Sequence, residues 1–204
     1  MNPNQPPARS FAKRVASPLC RGAVLLLAFA AFAAGGAEVA GVKLEDRTQV
    51  ESRDLVLNGA GLRKRVVFNV YVIGLYLPEK KSDAAAVIEL AGPKRAAIHM
   101  LRDVGADTFT DALVEGLRAN HSEAEYKALE PRVKELADIF GEIKEAKKGM
   151  TIALDWTGAA TRILVNGKPA GKPIAGEDFY RALLRIWLGD KPVQNDLKKS
   201  LLGA

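Results

Sequence analysis

The clearest pattern of apolar positions in the chain runs from Val66 to Leu77, where β-branched, aromatic and aliphatic residues follow one another up to Pro78. Such a run predicts a long strand with the proline as its stop. Successive side chains of a strand alternate between faces, so a regular strand puts Arg63, Arg65, Val67, Asn69, Tyr71, Ile73 and Leu75 on one side. A polar strip of Arg63, Asn69 and Tyr71 then leads into an apolar wall. Just ahead, Gly59-Ala60-Gly61 reads as a small-residue turn, a bend that brings backbone close to a neighbour, and a shorter strand is expected around Thr48 to Leu57.

Beyond Pro78 the period changes. The stretch KSDAAAVIEL predicts a helix capped by Ser82 or Asp83 and ended by Gly92-Pro93, and Lys94 to Leu101 predicts a buried strand. A helix opening at Asp107 carries Phe109, Ala112, Leu113, Gly116 and Leu117 on one face. Ser122 and Glu125 have the spacing of a capping box, and the stripe that follows runs to Phe140, with Pro131 expected to break it in two. Strands return at Met150 to Trp156 and at Thr161 to Asn166, with Asn166-Gly167 as a turn. A closing helix buries Phe179, Ala182, Leu183, Ile186 and Trp187 up to Gly189, and a second starts near Asp190 and Pro192. Strands at both ends of a helical middle, without βαβ alternation, predict an α+β domain with helices on one face of an antiparallel sheet.

Charge alters this picture only at the N-terminus. Arg9, Lys13, Arg14 and Arg21 precede the apolar run Ala23 to Ala37, the pattern of a secretory signal peptide over residues 1–37 ahead of one domain over 38–204. About 15 apolar residues fall short of the ~20 that span a bilayer, so no stable membrane anchor is expected after cleavage. The leader holds four of the 30 basic residues and none of the 24 acidic ones, leaving 26 against 24. A near-neutral domain lacks the clustered excess that phosphate binding needs, so nucleic acid is not an expected partner. Cys20 leaves with the leader, and a domain of this size can hold together without disulfides in a secreted or periplasmic setting.

Familiar catalytic patterns are absent from the sequence. The two histidines, His99 and His121, fit no metal-ligand spacing and read as core or capping residues, so neither a metal nor another cofactor is implied. No G-x-S-x-G elbow occurs, and Gly59-Ala60-Gly61 is not followed by a helix as a dinucleotide fingerprint requires.

The segments LNGAGLR, VYVIGLYL and DFYRALLRIWLG resemble the chalcone isomerase-like proteins, in particular their secreted bacterial branch, over roughly Gly41 to Gly203. The resemblance implies an open-faced β-sandwich, a large antiparallel sheet covered by helices, with a ligand cleft between them. In the plant enzymes of that family, the arginine behind the glycines orients substrate and stabilises developing negative charge, and it matches Arg63. The family's other positions fall on Tyr71 for a strand threonine, Phe109 and Gly116 for a helix tyrosine and asparagine, and Tyr180 for a closing-helix hydroxyl residue. Each lost oxyanion donor is typically worth ~3–4 kcal/mol, so flavonoid cyclisation is not expected.

Non-enzymatic members bind fatty acids, and the resemblance therefore implies an arginine anchor for a carboxylate at the mouth of an apolar cavity. The expected function is binding of a small amphipathic carboxylate without transforming it, at a site of Arg63, Asn69, Tyr71, Phe109 and Tyr180. Two alternatives stand beside it: an isomerase on an unknown substrate, and an interaction module whose cleft is filled by its own side chains. An arginine paired with a neighbouring Asp or Glu that secures the turn is the competing account of Arg63 itself.

Overall fold

The computed structural model describes residues 36–204, and the leader expected over residues 1–37 lies outside them apart from its last two positions. Seven strands form one antiparallel sheet in the order β11-β10-β9-β6-β5-β4-β3. They are β3 (Arg47–Val50), β4 (Arg53–Arg65), β5 (Phe68–Leu77), β6 (Lys94–Met100), β9 (Thr151–Trp156), β10 (Ala160–Val165) and β11 (Lys168–Ala175). A small hairpin of β1 (Ala37–Val39) and β2 (Val42–Leu44) and a two-strand ladder of β7 (Val104–Gly105) and β8 (Glu145–Ala146) complete the strands. The helices are α1 (Ala84–Glu89), α2 (Ala106–Ala119), α3 (Glu123–Ile143), α4 (Glu177–Leu188) and α5 (Asn195–Leu201). Helices on one face of an antiparallel sheet give the α+β layering that the pattern predicts and the open-faced sandwich that the resemblance implies.

The two sheet faces bury different partners. On the helix face, Ile73, Leu75, Ile98, Met100, Ile152, Leu154 and Trp156 meet α2, α3 and the stripe of α4 in the main core. All five residues expected to be buried on α4 are, none of them more than 5 % exposed. On the outer face, Leu44, Val50, Leu55, Leu57, Val72 and Tyr76 form a smaller cluster under the β1–β2 hairpin. Both clusters lie within one compact unit.

Several boundaries depart from expectation for physical reasons. Gly59-Ala60-Gly61 is not a turn: it lies inside β4, a strand of 13 residues. The turn comes after Arg65, at Val66-Val67, so the apolar run begins two residues ahead of β5. The strand expected over Thr48 to Leu57 is divided at Glu51, whose φ of 54° starts the turn between β3 and β4. Pro131 does not break α3, which is continuous over 21 residues. Pro131 and Lys127, whose carbonyl loses its partner, lie on the exposed side of the helix, while Tyr126, Leu129, Val133, Leu136 and Phe140 clamp both halves to the core. The capping box is present, with the Glu125 carboxylate accepting from Ser122 N at 2.7 Å. The Pro-bearing stretch from Lys168 becomes the edge strand β11, the place in a sheet where proline is tolerated.

Candidate functional site

The site begins with the two glycines. On the helix face β4 presents Gly59, Gly61 and Arg63, opposite Leu75, Ile73 and Tyr71 of β5. Helix α5 lies directly on the glycines. A Cβ at Gly59 would stand 2.2 Å from Ser200 O, and one at Gly61 would stand 2.6 Å from the Leu197 side chain. The expected close approach of backbone is thus present, in a strand rather than a bend. Arg63, two residues further on, is the next residue of β4 on that face.

The same half of β4 has no strand on its outer edge, because β3 pairs only with Arg53 to Val56. Side chains take the place of that strand. Gln194 donates from Nε2 to Leu62 O at 3.2 Å and accepts from Lys64 N at 2.9 Å, as a strand peptide does. Asn58, bulged out of register between Leu57 and Gly59, bonds Lys81 N and O and Leu201 O at 2.7–2.9 Å. These bonds hold Arg63 on a fixed edge.

Arg63 is half-buried, and among the described residues it belongs to no ion pair. Its Nη1 donates to the carbonyl of Lys64. Tyr71 stands opposite in register, and its hydroxyl accepts from Trp187 Nε1 at 2.9 Å. Burial pushes the Tyr71 hydroxyl above its ordinary pKa, opposed by the Trp187 hydrogen bond and by the Arg63 charge. Tyr71 therefore stays protonated at neutral pH. Indole is a donor only, so it takes a lone pair of Tyr71 Oη and leaves the O–H to donate elsewhere. A guanidinium has five N–H groups. Arg63, Tyr71 and Trp187 together make a cluster rich in donors and without a carboxylate.

The other expected residues are placed apart from this cluster. Asn69 does not share the face of Arg63 and Tyr71: Val70 is an extra residue, so Asn69 pairs with Lys64, which alternates away from Arg63. It is exposed beside the hairpin tip. Phe109, half-buried on α2, packs edge-on against Phe140 with ring centroids 4.8 Å apart. Tyr180 is fully buried and donates to Leu154 O at 3.1 Å. It lies two helical turns from Trp187 on α4, about 10 Å along the axis. Gly116, aligned with a plant asparagine, packs on Ile186: a Cβ there would meet its side chain at 2.8 Å. Trp187 was legible only as a core residue, although a buried indole N–H calls for an acceptor.

Two clefts open elsewhere. One of about 440 Å³ lies between α1 and the ends of α2, α4 and α5, lined by Asp83, Glu89, Arg185 and Lys198 among others. The other, about 240 Å³, lies between the β1–β2 hairpin and the outer sheet face, lined by Tyr76, Arg95 and His99 among others. Arg63 lines neither. The layer behind it is close-packed, with Ile73, Met100 and Leu117 at most 2 % exposed. Among the described residues no acidic, histidine or cysteine group is arranged to hold a metal ion, and no helix is long and apolar enough to cross a membrane. His121 donates from Nδ1 to Leu117 O, 2.8 Å away, in a capping role at the end of α2.

The family model described as chalcone isomerase-like matches residues 36–203. No curated protein matches the sequence. Among solved structures, the fold is similar to that of a fatty-acid binding protein of Arabidopsis thaliana, AtFAP1. The TM-score is 0.64 at 12 % identity, over 79 % of this chain and 92 % of that one.

Proposed function

The chain belongs to the chalcone isomerase-like family, and from that premise we propose that it binds a small amphipathic carboxylate, such as a fatty acid, with its head group on Arg63 and Tyr71. One observation carries the reading: a half-buried guanidinium, without an acidic partner among the described residues, stands opposite a tyrosine whose O–H is free to donate. Charge-assisted hydrogen bonds to a carboxylate are the strong ones, and such a cluster lacks only the acceptor. That the similar plant structure is a fatty-acid binding protein agrees with this choice of ligand. Phe109 and Tyr180 belong to the same helix–sheet layer as this cluster, whereas Asn69 lies on the other face and takes no part in the reading.

The test is a titration of wild type and Arg63→Leu with fatty acids of increasing length, alongside thermal melts. Each buried methylene contributes ~0.8 kcal/mol before ordering costs, so affinity rises with length until the layer can open no further. Arg63→Leu binds roughly 10- to 150-fold more weakly while staying folded, from the ~1.5–3 kcal/mol of charge-assisted bonds. Absence of binding at every length by folded wild type sinks this reading.

The close packing behind Arg63 favours a second reading, an interaction module whose cleft is filled by its own side chains. Absence of binding at every chain length by folded wild type selects it. Export to a secreted or periplasmic location belongs to the same proposal, and N-terminal sequencing of exported protein should begin near Ala34 to Glu38. An intact Met1 on membrane-bound material refutes export by cleavage.

A further inference from the structure

The tip of the β4–β5 hairpin is built against the usual rules. Val66, Val67 and Phe68 are 90, 79 and 56 % exposed, the large apolar side chains left in water among the described residues. Val66 and Val67 are the two-residue loop between Arg65 and Phe68. Val66 has φ 56°, where a β-branched residue is strained and where such loops ordinarily carry Gly or Asn. The position thus keeps an exposed apolar side chain at the expense of backbone strain.

The surroundings are uniformly basic. From Leu55 to Pro78 the chain has Arg63, Lys64 and Arg65 and no acidic residue. Arg102 adds a fourth cation, its guanidinium 4.6 Å over the Phe68 ring. Among the described residues none of the four is in an ion pair. Asp103, next in sequence, has its carboxylate engaged by Lys148 N at 2.7 Å.

We propose that this tip docks the protein on the surface of an anionic phospholipid bilayer, with Val66, Val67 and Phe68 entering the interface and Lys64, Arg65 and Arg102 against the head groups. Area decides between occupants. A protein partner or a second copy needs a complementary surface of about 1,000 Å² or more, far beyond three side chains on a two-strand protrusion. Two copies would also oppose like charges. A bilayer interface closes around a narrow apolar tip of any shape and attracts its basic collar. The contact is peripheral and reversible, unlike an anchor. It stands apart from the carboxylate reading, because none of the docking residues belongs to the Arg63–Tyr71–Trp187 cluster.

The test uses residues 36–204, which hold both core clusters and keep only the last two residues of the leader's apolar run. A cooperative melt checks the fold of each variant. Flotation compares neutral phosphatidylcholine vesicles with vesicles containing phosphatidylglycerol. Each basic residue near an anionic surface raises partitioning roughly five-fold, so wild type should partition at least ~50-fold better onto the anionic vesicles and lose that gain in high salt. Val67→Ser with Phe68→Ser, or Lys64→Glu with Arg65→Glu, should each reduce partitioning by at least about ten-fold. Val66→Gly should raise the melting temperature yet weaken partitioning, and Tyr71→Phe should leave partitioning unchanged while weakening carboxylate binding. Equal partitioning onto both vesicles, no partitioning, or vesicle-free dimerisation that Val67→Ser abolishes overturns the proposal.

Discussion

Two arginines of this sheet face a tyrosine across a strand pair, and their surroundings differ in one respect. Arg63 stands opposite Tyr71 on the helix face, and Arg95 opposite Tyr76 on the outer face. Arg95 also has Asp155 in register on its other side, and the two make a bidentate pair with both bonds at 2.6 Å. Thr48 takes a third donor of Arg95 at 2.7 Å, and Arg162 lies 3.9 Å from the same carboxylate. Asp155 is fully buried. The protein thus contains a complete example of an arginine used as a structural tie, and Arg63 lacks its central component, the carboxylate. The tyrosines follow suit: burial pushes Tyr76 up to about 12, with Arg95 opposing, and it faces a charge already neutralised.

Removing the tie gives the largest expected effect. Asp155→Ala strands a half-buried guanidinium in a sheet and should cost about 3–5 kcal/mol in denaturant unfolding, whereas Arg63→Leu should cost under about 1 kcal/mol. If the two variants lose equal stability, the distinction between the arginines fails. Next in size is Tyr71→Phe, which removes one neutral donor and should weaken carboxylate binding by about 3- to 10-fold in calorimetric titration. It also strands the Trp187 N–H, so stability should fall by about 1 kcal/mol. Catalysis is expected to show no effect: chalcone cyclisation in the presence of the protein should proceed at its spontaneous rate. A saturable, Arg63-dependent acceleration overturns that expectation and revives the isomerase reading.

The smallest effect belongs to a third arginine. Arg132 pairs with Asp178 at 2.6 and 2.7 Å, and the hydrogen bonds from Arg132 hold the Asp178 carboxyl below its ordinary pKa. A depressed carboxylate stabilises the fold above its unfolded pKa, and that contribution disappears as pH falls through the folded value. Asp178 is largely exposed, so solvent screening limits the gain to a few tenths of a kcal/mol. Asp178→Asn should therefore flatten the acid limb of a stability–pH curve below about pH 4 only slightly. A large change would mean that exposed and buried pairs are less different here than their geometry indicates.

The fold was more legible than the site because periodicity reports burial and is blind to register. The stripe from Phe179 to Trp187 announced α4, and the family motifs announced the sheet. The face shared by Arg63 and Tyr71 was also readable. The bulge at Val70, which turns Asn69 away, was not: nothing in the alternation of that run marks an inserted residue. Gly59 and Gly61 suggested a turn because glycine permits one. What selects glycine there is a helix from the far end of the chain, which no local pattern contains. The Trp187–Tyr71 bond was hidden for the same reason, since it joins residues 116 positions apart.

The seat of α5 on those glycines bears on the order in which the polypeptide can mature. The exposed margin of β4 is satisfied by residues 194–201, and the Asn58–Leu201 bond spans 143 positions. Until residues 194–201 are synthesised, that margin has no partner and offers unpaired amides to any neighbouring chain. Contacts of such sequence separation also form slowly. The nascent protein is accordingly vulnerable to intermolecular strand addition until residues 194–201 have been made, and chain termination ahead of residue 194 should yield aggregates rather than a shortened soluble domain.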